Sequence, residues 1–199
     1  MEYLDALELQ RSLHHEIAEG QRENTLLLVE HPSVYTAGKR TQDHERPNDG
    51  TPVIDVDRGG KITWHGLGQI VGYPIVRLAK PTELVGFVRE IENALIATCS
   101  ELGLAATRVE GRSGVWVVDE KGERKIAAIG IRVARGVTMH GFALNVEPDL
   151  SPFEAIIPCG IEDATVTSLA IELGRSISIE EVLPIVEKFM YESLAKVSR

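Results

Sequence analysis

Five glycines fall within the fifteen residues from Arg58 to Gly72 (RGGKITWHGLGQIVG), a density that no helix interior tolerates and that weakens any long regular strand. This segment is expected to be loop and short strand, with its backbone close to something else, leading into a strand at Tyr73 to Leu78. The other elements have to be arranged around it. Leu9, Leu13 and Ile17, four apart, give one apolar face to a first helix ending near Gly20. Thr25 to Glu30 and Pro52 to Val56 read as strands. Pro81-Thr82 opens the clearest helix, where Leu84, Phe87, Val88, Ile91, Leu95 and Ile96 keep a 3.6-residue period up to Gly103. Gly114 to Val118 and Lys125 to Val133 flank the turn-like Glu120 to Glu123 as a hairpin, and Val137 to Val146 supplies the next strand. Thr167 to Leu173 reads as a helix, and Ser178 to Val197 as a final one with Pro184 in its early turns. Strands come in runs rather than alternating with helices. That predicts an α+β fold, a single domain over residues 1–199 with a mixed β-sheet flanked by helices.

Charge and composition narrow the function. With 21 Lys plus Arg against 30 Asp plus Glu, the net charge is −9, which argues against a nucleic-acid partner. No apolar run reaches the roughly 18 residues of a membrane span, so no membrane partner is expected. The acidic start, Met1-Glu-Tyr-Leu-Asp, is unlike a secretory signal, and two cysteines make no disulfide framework, so a reducing cytoplasm is the expected location. Gly66, Gly68 and Gly72 run into a strand with G-x-G-x-x-x-G spacing, which is not a dinucleotide fingerprint. Gly38-Lys39 lacks the rest of a phosphate loop, and no Cys or His pair has zinc spacing, so neither a nucleotide cofactor nor a metal is expected.

Chemistry concentrates elsewhere. Cys159 lies between Pro158 and Gly160, outside any periodic apolar face, whereas Cys99 sits inside a helix as a small buried hydrophobe. A thiol needs a partner to ionise at neutral pH. Lys125, at the head of the apolar strand KIAAIGIRV, is one candidate if alternation aims it inward; the bland alternative is a solvated charge after the turn. His65 and His140, each beside a glycine, compete as bases or are simply wall residues.

The segments HPSVYTAG from His31, DRGGKITWHGLGQ from Asp57, GRSGVWV from Gly111, KIAAIG from Lys125, T-x-HGFALNV from Thr138 to Val146, and IPCGI from Ile157 with Val166-Thr-Ser-Leu169 closely resemble the lipoyl(octanoyl) transferases. The resemblance runs in order over nearly the whole chain. It implies the lipoate/biotin protein ligase fold and transfer of octanoyl from octanoyl-acyl carrier protein to a lysine of lipoyl domains, those of 2-oxoacid dehydrogenase complexes and the glycine cleavage H protein. It implies Cys159 as the acyl-thioester nucleophile and Lys125 as its partner. It implies substrate-binding roles for Arg58, Gly59, Gly60, Lys61, Ile62, Thr63, Trp64 and His65, for Ala128, Ile129 and Gly130, and for Gly141, Phe142 and Ala143, with Ile62, Ile129 and Phe142 as an apolar wall. No cofactor is implied. Leu67 stands where the family usually has proline. The alternative on the same fold is an ATP-dependent lipoate or biotin protein ligase, which has no use for a cysteine nucleophile; a non-catalytic acyl or carrier-binding module is the third reading. The motif-bearing stretches are net basic, +2 over residues 31–80 (7 minus 5) and +3 over 105–145 (7 minus 4). Lys39, Arg40, Arg58, Lys61, Arg112 and Arg132 are accordingly expected to include residues that dock an acidic carrier.

Overall fold

The computed structural model describes residues 1–48, 50–80, 82–156 and 165–199. Its centre is a sheet with strand order β1-β5-β9-β8-β7-β6: β1 (Thr25–Val29), β5 (Gln69–Ile75), β9 (Val137–Asn145), β8 (Gly122–Ala134), β7 (Arg112–Asp119) and β6 (Thr107–Val109), each antiparallel to its neighbour. The short strand β10 (Thr165–Val166) joins β8 in parallel at Arg124 and Lys125, just where the pairing with β9 runs out. A second sheet sets β2 (Val34–Ala37) between β3 (Val53–Asp55), parallel, and β4 (Thr63–His65), antiparallel.

Period-two alternation splits the large sheet into two faces. One face carries Ile70, Phe142, Leu144, Val115, Val117, Ile126, Ala127 and Ile131. These pack on α2 (Leu84–Glu101) through Phe87, Ile91 and Leu95, and on α4 (Ile179–Leu194) through Val182, Val186 and Met190. The phenyl ring of Phe142 lies over Gly72, where any β-carbon would meet it at 2.2 Å. The opposite face receives α1 (Tyr3–Ala18), whose Ala6, Leu13 and Ile17 pack on Val71, Tyr73, Ile75 and Ala143. The small helix α3 (Leu169–Leu173) precedes α4. No helix among the described residues is long and apolar enough to cross a membrane.

The expected α+β class, the three long helices and the Glu120-Lys121 hairpin are as read from the sequence. Three details differ. Leu9 is exposed, because the buried stripe of α1 runs through Ala6, Gln10, Leu13 and Ile17. The strand expected at Tyr73 starts four residues earlier, at Gln69, since its glycine is accommodated under Phe142. The short strands β2 and β6 carry too few residues to show a period.

Candidate functional site

A cavity of about 230 Å³ opens between the two sheets. Its floor is the α1-side face of β9 and β8, offering Gly141, Ala143, Ala128 and Gly130, and β4 supplies Thr63 and His65 from above. Lys125 enters from the end of β8 by way of a bulge. While β7 advances one residue, from Val115 to Trp116, β8 moves two, from Ala127 to Lys125. Strict alternation would have put Lys125 on the helix-packed face with Ala127; the extra residue turns it to the face of Ala128 and Gly130. Lys125 is 7% exposed, with its ammonium 4.6 Å from the centre of the Trp116 ring. No carboxylate among the described residues pairs with it.

A directed hydrogen-bond chain fixes the wall opposite. Asn145 Nδ2 donates to the Thr167 carbonyl (2.9 Å), leaving its Oδ1 to accept from Gln69 Nε2 (2.8 Å). Gln69 Oε1 must then accept from His65 Nδ1–H (2.8 Å), so the His65 Nε2 lone pair turns toward the Thr36 hydroxyl, 3.5 Å away. Arg58 donates to Thr36 O (2.8 Å), Thr36 Oγ1 (3.0 Å), Lys61 O (2.7 Å) and Gly59 O (3.1 Å). Its guanidinium is thereby occupied in shaping the Arg58–Lys61 loop.

The chain matches the model of the lipoyl protein ligase A/B catalytic domain over residues 2–190. It is 60% identical over 190 residues to an octanoyltransferase of Salinispora tropica, covering 94% of this chain and 89% of that one. It is 66% identical over 185 residues to one from Mycobacterium sp. (strain KMS), covering 92% and 77%. The chain belongs to the octanoyltransferase branch of the lipoyl protein ligase A/B family. It is an acyltransferase. Among solved structures, the fold resembles a bi-partite lipoate protein ligase from Thermoplasma acidophilum (TM-score 0.71, 19% identity, 94% and 79% of the chains). It also resembles a lipoate-protein ligase A bound with ATP (TM-score 0.66, 18% identity, 94% and 81%).

Of the binding residues the family resemblance implies, Arg58, Gly60, Lys61, Thr63, His65, Ala128, Ile129, Gly130, Gly141, Phe142 and Ala143 line the cavity. Gly59, Ile62 and Trp64 do not. Alternation along β4 sends Ile62 and Trp64 to the far side, against Tyr35, Phe153 and Ile156, while Gly59 N–H is bonded to Ile131 O (3.0 Å). Of the expected apolar wall of Ile62, Ile129 and Phe142, only Ile62 is displaced from the cavity; Ile129 and Phe142 line it, while their side chains also pack toward the helix-side core. Cys159 lies outside the described residues. Tyr3, Val71 and Tyr73 line the cavity without having been marked by any motif; their signal is β5 alternation for two of them, and none for Tyr3. Of the six expected docking cations, Arg58 is buried, Lys61, Arg112 and Arg132 pair with Glu45, Glu123 and Asp57, and Lys39 and Arg40 are exposed.

Burial disfavours the charged form of both candidate bases. Burial pushes His65 down to about 3. Burial also lowers His140, against the opposing hydrogen bond of its Nε2–H to Asp57 Oδ1 (2.7 Å), and lowers His31, whose Nδ1–H donates to Met1 O (2.8 Å). All three take up a proton more readily unfolded, so they destabilise the fold progressively as pH falls below about 6.5. The expected slope is about 1.4 kcal/mol per pH unit for each histidine that stays neutral in the fold. Urea midpoints between pH 7 and pH 5 should fall accordingly, and less steeply in His65→Gln. Midpoints that do not move over that range would contradict the neutral assignment.

Proposed function

We propose that this acyltransferase moves octanoyl from octanoyl-acyl carrier protein to the ε-amine of a lysine on lipoyl domains, by way of a thioester on Cys159. The acceptors are the lipoyl domains of 2-oxoacid dehydrogenase complexes and the glycine cleavage H protein, the compartment is the cytoplasm, and residues 1–199 act as one catalytic domain. The observation that carries the reading is Lys125, turned into the cavity by the β8 bulge and unpaired among the described carboxylates, with β10 bonded to its strand six residues after Cys159.

The Cys159 thiolate attacks the thioester carbonyl, the carbon–sulfur bond to the carrier breaks, and the departing sulfur takes a proton from the Lys125 ammonium. The lysine ε-amine of the acceptor then attacks the enzyme thioester. Lys125 accepts the amine proton as the amide forms, and Cys159 leaves as the thiolate. Thioester exchange is nearly isoenergetic and amide formation is downhill, so no nucleotide is consumed.

Intact mass after incubation with octanoyl-acyl carrier protein, without ATP, should rise by one octanoyl group. A lipoyl domain should then remove it. Cys159→Ser should show no gain. Wild type that stays unmodified, or is modified only with ATP, would refute the mechanism and favour the ligase alternative.

A further inference from the structure

The cavity has an open rim and a blind end. Arg40, Gly111 and Ser113 are its exposed lining residues, whereas Tyr3, Val71 and Tyr73 are buried. Between them, Ala128 and Gly130 on β8 and Gly141 and Ala143 on β9 present nothing larger than a methyl group, so a hydrocarbon chain can lie close to backbone. The distance from β8 across β9 to β5 is two strand spacings, about 10 Å in all. There the trough meets Val71 and Tyr73 of β5 and the ring of Tyr3, which comes from the first turn of α1.

That end wall is tied together by hydrogen bonds and ring contacts. Tyr73 Oη is hydrogen-bonded to His31 Nε2 at 2.7 Å, and His31 also holds Met1 O, which fixes the entry to α1. The Tyr3 ring stacks on His65 (centroids 6.0 Å apart, planes at 12°) and meets His31 edge-on at 5.2 Å. Behind Tyr3 the surroundings are apolar: it clusters with Leu7 and Met139, and Val34, Ile54 and Val56 pack against them. Removing the ring would extend the trough into hydrocarbon-like space.

We propose that Tyr3 is the residue that sets acyl chain length, its ring closing the trough so that a medium-length chain fits and a longer one is stopped. The assignment rests on the acyl-transfer reading above. It makes the ring, and not the hydroxyl, the determinant, because a phenyl group blocks the same volume.

Binding of free saturated fatty acids from hexanoate to tetradecanoate is measured on full-length wild type, Tyr3→Ala, Tyr3→Leu, Tyr3→Phe and Tyr3→Trp, with thermal melting of each. Acylation from carriers bearing the same chains is followed in parallel by intact mass. Wild type should favour octanoate over dodecanoate. Tyr3→Ala should raise the dodecanoate-to-octanoate ratio by about tenfold or more, as expected for methylenes gaining an apolar pocket. Tyr3→Leu should move it the same way, so the test survives a poorly folded alanine variant. Tyr3→Phe should keep the wild-type order of chain lengths, and Tyr3→Trp should shift it toward hexanoate. Folded Tyr3→Ala or Tyr3→Leu with an unchanged order overturns the assignment, as does a Tyr3→Phe shift equal to that of alanine or a wild type that binds no fatty acid of any length. If the binding order shifts as expected but carriers donate nothing, the donor reading fails while the role of Tyr3 stands.

Discussion

Replacing Lys125 with methionine is expected to slow acyl transfer by about 10²- to 10⁴-fold, the range that a positioned proton donor and acceptor contributes. Methionine keeps most of the apolar stem that packs beside Trp116 and beneath Gly114, so the fold should tolerate it. Charge and proton transfer are separable. On the proposed pairing, the Lys125 ammonium favours the Cys159 thiolate, so losing it should slow iodoacetamide alkylation of Cys159 at neutral pH by about tenfold or more. Lys125→Arg retains a cation that cannot give up its proton, so alkylation should be largely kept while transfer stays slow. Cys99 does not confuse the readout, because burial pushes its thiol up to about 12. An alkylation rate untouched in Lys125→Met would remove Lys125 from thiolate activation.

The same lysine illustrates what the sequence could and could not disclose. Its position at the head of an apolar strand drew attention to it, but its direction depends on the bulge at Ile126-Ala127, which no periodicity in KIAAIGIRV betrays. Without that bulge Lys125 would share the face of Ala127, buried against α2 and α4. The long helices were legible because Phe87, Ile91 and Leu95, or Val182, Val186 and Met190, repeat often enough to average out local exceptions. In α1 the apolar choice between Leu9 and Ala6 is decided by what lies beneath, and the sheet selects the smaller residue. Motifs identified the loop from Arg58 to His65, but not that Arg58 would be consumed in holding it or that β4 would turn Ile62 and Trp64 away. Tyr3 was invisible for a different reason. Its role arises from the docking of α1 on β5 and β9, a contact between segments that are distant in the chain.

Gly141→Ala should be the most destabilising single-methyl change in the cavity floor. A β-carbon there would lie 1.8 Å from Gly72 O and 2.8 Å from Pro74 Cδ, and the first of these is backbone of a buried central strand that cannot rotate aside. The preceding residue leaves little room to adjust. His140 already has φ 59, with its N–H turned out of the ladder to Gln10 Oε1 (2.9 Å) and its imidazole held by Asp57. Relief therefore requires β9 to separate from β5, moving Ala143 and the cavity floor with it. Overpacking of this kind costs about 3 kcal/mol or more, which for a chain of this size lowers the melting temperature by roughly 6–12 °C. Gly122→Ala is the control for conformation alone. Gly122 has φ 96 but open space around it, so its substitution should cost only about 1–2 kcal/mol. Gly130→Ala should fall between the two, since its β-carbon meets the movable Arg58 Cδ as well as Gly59 O, both at 3.0 Å. Urea midpoints of the three variants test that order. A Gly141→Ala protein as stable as Gly122→Ala would mean that β5 and β9 yield where the geometry says they cannot, and that the floor of the acyl trough is not fixed by this contact.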